Sequence, residues 1–114
     1  MRTRCLESVR RSRLGLFQAG SLYSGYVSKA ADVASGGRHM SNHFAKPEIG
    51  IQNVSSAVSN HAQHAAGLAR AVKTYGKDAI VFCSVGESSL SEGYFYEAVN
   101  GASREKLPLV IVVQ

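Results

Sequence analysis

Two apolar runs constrain the fold of this 114-residue chain more than anything else in it: residues 79–85 (AIVFCSV) and 109–113 (LVIVV). Between them, residues 92–104 place Phe95, Ala98, Val99 and Ala102 on one side of a helix. Pro108 separates that helix from the second run. Strand, helix, strand in this order predicts a right-handed βαβ crossover, because parallel strands need a long connection. Strands this uniformly apolar suit a parallel sheet covered on both faces. The expected class is therefore α/β, a parallel sheet with a βαβ crossover flanked by helices.

A second helix is expected over residues 59–75, where Ala62, Ala65, Ala66, Ala69 and Val72 share a face. Ser59 or Asn60 is the expected cap, and Gly76 the stop. The small residues on that face imply close packing against a helix or a sheet. Leu16, Phe17, Ala19, Leu22, Tyr23 and Tyr26 predict a further helix over 14–26, interrupted by glycines. Residues 35–50 are polar and turn-rich, and loops this long in a small domain are usually functional or disordered.

Charge divides the chain. Residues 1–13 hold five arginines against Glu7, whereas the rest carries eight basic and seven acidic side chains. The body is close to neutral, so the overall basicity does not argue for nucleic acid. The head, expected to be disordered, reads as a targeting peptide or as a frayed or artificial start. Residues 14–114 form the expected domain. No apolar run reaches the roughly 20 residues of a membrane helix. Cys5 and Cys83 make no disulfide framework, and Cys83 inside an apolar run reads as a buried reduced thiol of an intracellular protein.

The chemistry concentrates in residues 86–93 (GESSLSEG). Gly86 permits a tight turn at the strand end, and N–H groups at a strand-to-helix junction favour an anion. Ser88 and Ser89 add hydroxyls. Glu87 would repel a bare phosphate, but magnesium takes carboxylate and phosphate oxygens together. The plainer alternative is a polar turn in which Glu87 complements the helix dipole. Walker and dinucleotide-binding glycine patterns are absent. A nucleophile elbow would need a second glycine and a later histidine, and neither is present.

Residues 36–114 resemble the α subunit of the thiamine-diphosphate-dependent decarboxylating component of 2-oxo acid dehydrogenases, the branched-chain 2-oxoisovalerate type above all. The matching segments are GGRHMSNHF (36–44), NVSSAVSNHAQHAAGLARAVKTYGKD (53–78), VGESSLSEGYFYEAVNGAS (85–103) and LPLVIVVQ (107–114). The resemblance implies a partial thiamine-diphosphate-binding fold, oxidative decarboxylation of a 2-oxo acid and acyl transfer to a lipoyl group. It implies thiamine diphosphate and Mg2+ as cofactors, with Glu87 as the magnesium ligand and Gly86, Ser88 and Ser89 around the diphosphate. Ser88 stands where the family usually has glycine. By the same match Ser56 touches the cofactor, Val58 wedges beneath its rings, and His43 lines the site mouth. Ser55 matches a ligand of a structural K+, although Asn60 and His61 replace the usual Thr-Gln of that site.

The implied partners are a β subunit or fused β domain, which supplies the activating glutamate, and a lipoyl-bearing acyltransferase. Neither nucleic acid nor a membrane is implied. The family's Asn-Asn or Asp-Asn pair, which gives the other side-chain metal ligand, would follow Gln114. The chain therefore reads as a fragment truncated at its C-terminal end, with little or no catalysis of its own. A non-catalytic remnant or interaction fragment is the alternative. The location expected is cytoplasmic for a bacterium, or the mitochondrial matrix for a eukaryote. His61 and His64, three apart on a helix without a third ligand beside them, are expected to be surface or interface residues. Glu97 and Glu105 are expected to be solvated helix charges.

Overall fold

A computed structural model describes residues 5–8, 27, 30–32, 35–40, 43, 45–47, 50–53 and 55–114. The elements are β1 (Cys5–Ser8), α1 (Asn60–Thr74), β2 (Val81–Val85), a 3-10 turn (Glu87–Ser91), α2 (Gly93–Glu105) and β3 (Leu109–Val113). The helix expected over 14–26 lies outside the described residues.

The sheet order is β1-β2-β3. β2 and β3 pair in parallel, from Val81 opposite Leu109 to Val85 opposite Val113. The connecting α2 makes this the βαβ unit that the two apolar runs imply. β1 runs antiparallel on the other side of β2, with Cys5 opposite Cys83. This strand comes from the basic head. β2 is thus central, and Val81, Cys83, Ser84 and Val85 are buried. Cys83 is fully buried. β3 is less covered than its uniform hydrophobicity suggests, with Val110, Val112 and Val113 all exposed.

The core lies between α1 and the sheet. Ala62, Ala65, Ala69 and Val72 form the buried stripe of α1, and they pack with Val81, Cys83 and Val85 of β2 and Ala98 of α2. Alanine keeps the helix backbone near the sheet without the rotamer loss of larger side chains. The two helices also clasp each other at their outer edge. Arg70 pairs with the Glu105 carboxylate, Lys73 donates to the Glu105 carbonyl, and Gln63 donates to Glu97. The two glutamates expected to be solvated therefore join α1 to α2. The Arg70 guanidinium holds the Glu105 carboxyl below its ordinary pKa.

Helix α1 ends as the sequence implies. The Gly76 N–H donates to the Lys73 carbonyl and the Lys77 N–H to the Val72 carbonyl, with Gly76 at φ 60°. This is a Schellman closure, and its left-handed residue is best filled by glycine. Gly67 sits in mid-helix, where an added Cβ meets nothing within 4 Å. Gly76→Ala is expected to destabilise the chain by about 1 kcal/mol, and Gly67→Ala to stabilise it by up to about 1 kcal/mol. Urea unfolding of the two variants checks the opposite signs.

Candidate functional site

β2 ends at Val85, and the chain turns at Gly86 with φ −75° and ψ 150°. That is ordinary extended backbone, so glycine is not needed there for its conformational freedom. Residues 87–91 form a 3-10 turn before α2, not a direct strand-to-helix junction. Two of the N–H groups expected to face an anion are used internally. Glu87 N–H donates to the Gln114 carbonyl at 2.8 Å, and Ser89 N–H donates to the Gly86 carbonyl at 2.9 Å. Gln114 N–H in turn donates to the Val85 carbonyl at 3.0 Å, so the residue after β3 closes the turn after β2. The side chains divide: Glu87 and Ser88 are exposed, whereas Ser89 is buried.

A second segment reaches the same end of the sheet through helix α1. Ser59 precedes the helix at φ 64°, and its side chain makes no capping bond. The expectation of a serine cap is met in position but not in chemistry, because the left-handed backbone turns the hydroxyl inward. Ser59 Oγ is buried without a hydrogen-bond partner among the described residues, as is Ser84 Oγ on β2. Ser55 serves the turn instead, its hydroxyl accepting from Asn60 Nδ2 at 3.1 Å and from Ala57 N–H at 3.4 Å. Ser56 is exposed, and its hydroxyl lies 2.7 Å from His43 Nε2. Val58 is 58% exposed, an apolar side chain with its surface turned to solvent.

His61 links the two segments. Its ring is buried, and Nε2 lies 3.1 Å from the carbonyl oxygen of Ser84. The Cys83 thiol also approaches the His61 carbonyl, at 4.0 Å. Of the two histidines expected at a surface or an interface, His61 is instead buried against β2, and His64 is exposed. Helical periodicity could have found this, since His61 stands four residues before Ala65 and eight before Ala69 on the buried stripe.

Asp32 is the other residue that the sequence reading missed. Buried, it accepts from Ser35 N–H, Ser35 Oγ–H and Gly37 N–H through one carboxylate oxygen. Gly36 and Gly37 both take positive φ, at 62° and 76°. The Asp-x-x-Ser-Gly-Gly spacing was the available signal: an acid placed to fold its own backbone, followed by residues free to turn left-handed.

The described residues contain no group of three or more His, Cys, Asp or Glu able to hold a metal. Glu87 is an exposed carboxylate. It fits one corner of a magnesium site completed by phosphate oxygens and further ligands. Ser55 fits a potassium ion less well, because its oxygen already accepts from two N–H donors. No helix among the described residues is long and apolar enough to cross a membrane.

Residues 16–114 match the profile of the dehydrogenase E1 component family. The chain is 37% identical over 100 residues to the 2-oxoisovalerate dehydrogenase subunit alpha of Bacillus subtilis, covering 88% of this chain and 30% of that protein. It is 35% identical over 95 residues to the pyruvate dehydrogenase E1 component subunit alpha of Staphylococcus aureus, covering 82% of this chain and 25% of that protein. The corresponding Staphylococcus epidermidis protein is 34% identical over 95 residues, with coverage of 82% and 25%. The chain thus spans less than a third of the length of these relatives.

Burial lowers the His61 pKa, the Ser84 carbonyl pulls it partly back, and neighbouring His64 lowers it further. The unfolded chain then binds the proton more readily than the folded one. Stability is complete above the ordinary histidine pKa of about 6.5 and is lost as pH falls below it. Tm is expected to drop between pH 7.5 and pH 5.5, and the drop is expected to shrink in His61→Gln. Thermal melts of both proteins at the two pH values check this.

Proposed function

The chain belongs to the dehydrogenase E1 component family as an α-type piece of a 2-oxo acid dehydrogenase, and from that premise we propose that it carries one side of a magnesium–thiamine diphosphate site. The observation that carries this reading is the exposed Glu87 carboxylate at the carboxyl end of central strand β2. Open α/β sheets bind ligands outside the carboxyl ends of their strands.

In this reading Glu87 gives one oxygen to Mg2+. Because the Glu87 and Ser89 N–H groups already have acceptors, contact with the diphosphate falls chiefly to the metal and to the outward side of Gly86–Ser89. Ser56 touches the cofactor, with its hydroxyl set by His43, and His43 lines the entrance. Exposed Val58 offers the apolar surface on which the rings rest. A potassium ion at Ser55 would displace the Asn60 and Ala57 donors. When bound, thiamine diphosphate supplies the carbanion chemistry for decarboxylating a 2-oxo acid, and the protein supplies position and electrostatics.

The same reading gives oxidative decarboxylation with acyl transfer to lipoyl, a β subunit or fused β domain as the partner that completes the site, and a lipoyl-bearing acyltransferase as the acceptor. Residues 14–114 act as the domain, and the 1–13 head adds β1 to its sheet. The bacterial relatives favour a cytoplasmic location over a mitochondrial one. The 114-residue chain alone is expected to show little or no turnover.

Calorimetric titration with thiamine diphosphate, with and without Mg2+, tests the half-site. Magnesium-dependent binding that weakens about tenfold or more in Glu87→Gln is expected, equivalent to about 1.4 kcal/mol. Binding that ignores Mg2+, or none at millimolar cofactor, would overturn the reading and favour a non-catalytic remnant of the same fold.

A further inference from the structure

A buried imidazole is an expensive filler. Phenylalanine or leucine would occupy the space without the cost of taking a polar ring out of water. His61 is buried on a stripe otherwise made of alanine and valine, and its ring meets a backbone carbonyl that lies inside the sheet. A carbonyl only accepts, so Nε2 must carry the proton. The ring therefore makes a directional bond between the first turn of α1 and the next-to-last residue of β2.

Both ends of that bond lie close to proposed cofactor contacts. On the helix side, Asn60 adjoins His61 and donates to Ser55, which fixes the loop carrying Ser56 and Val58. On the strand side, Ser84 precedes Val85, whose carbonyl accepts from Gln114, and the Gln114 carbonyl accepts from Glu87. A continuous path of hydrogen bonds and short backbone steps thus runs Ser55, Asn60, His61, Ser84, Val85, Gln114, Glu87. Ser59, at the natural capping position, contributes no side-chain cap to this path.

We propose that His61 is a positioning residue, a strut that fixes the 55–60 segment against the Gly86–Ser89 turn and so sets the spacing of the two parts of the candidate site. The strut is a property of this chain's own packing. Its bearing on a cofactor rests on the functional reading above. His61 touches no proposed ligand and acts through Ser84 and Asn60.

Hydrogen–deuterium exchange of the full chain, without cofactor, tests the strut separately from that reading. His61→Phe keeps a planar ring and removes the donor, while His61→Gln keeps an N–H donor. In His61→Phe, exchange is expected to rise about tenfold in both the 55–60 and 84–89 segments, the order that follows from losing one buried hydrogen bond. Residues 66–74 of α1 are expected to stay at the wild-type rate. His61→Gln is expected to stay within about threefold of wild type in both segments. A rise confined to the helix side, a uniform rise across all protected amides, or no rise would overturn the proposal.

Nitrogen NMR of the wild-type ring at pH 8 gives a second reading that needs no variant. A proton on Nε2 and none on Nδ1 is expected, and the opposite tautomer would overturn the strut. Should exchange behave as expected while the cofactor titration fails, the functional reading falls and the strut stands.

Discussion

The close approach of α1 to β2 governs the rest of the molecule. Ala62, Ala65 and Ala69 are fully or almost fully buried and present little more than a methyl group to the sheet. The helix backbone can therefore lie near Val81, Cys83 and Val85. That proximity lets an imidazole in the first turn of the helix reach a carbonyl of the strand at 3.1 Å. Larger side chains on the stripe would hold the helix away and break that reach. The same approach aligns the outer edges of α1 and α2, where Glu97 and Glu105 receive Gln63, Arg70 and Lys73.

A compact scaffold at one end of β2 follows from this geometry. In the 86–91 turn the Glu87 and Ser89 N–H groups are taken by the Gln114 and Gly86 carbonyls, which makes it a poorer anion cradle than a bare helix terminus. Its outward feature is the Glu87 carboxylate. An exposed acid beside a self-satisfied turn is better suited to a cation than to a phosphate directly, and a metal between them reconciles the two charges. Under the proposed reading this chain offers one metal ligand, Glu87, and the surface that supports it.

The regular elements were legible because their signals were redundant. β3 is bounded by Pro108 and is apolar throughout, and α1 has both a periodic stripe and a glycine stop, so two independent constraints agree at each. β1 was not legible: its strand character depends on a pairing with Cys83 and its neighbours, a contact between distant parts of the sequence. Glu105 looked like a solvated charge because nothing local shows that Arg70, far upstream, will meet it. His61 was misread through its residue type, although its spacing already placed it on the buried face. Ser59 was found as a cap by position, but its left-handed backbone and buried hydroxyl depend on the strand beneath it. The place of Glu87 at the end of β2 was legible from the apolar run before it, and its exposure agrees with the metal role proposed for it.

Whether the 55–58 segment and the Glu87 turn form one site is tested most directly by replacing Mg2+ with Mn2+ and recording amide spectra of the labelled chain. Mn2+ broadens signals from nuclei close to it. With thiamine diphosphate present, the signals of Glu87 and Ser88 are expected to broaden together with those of Ser56 and Val58, and much less so with Mn2+ alone. Broadening that is scattered over the surface acids, or that reaches Glu87 equally without the cofactor and never reaches Ser56, would contradict the account.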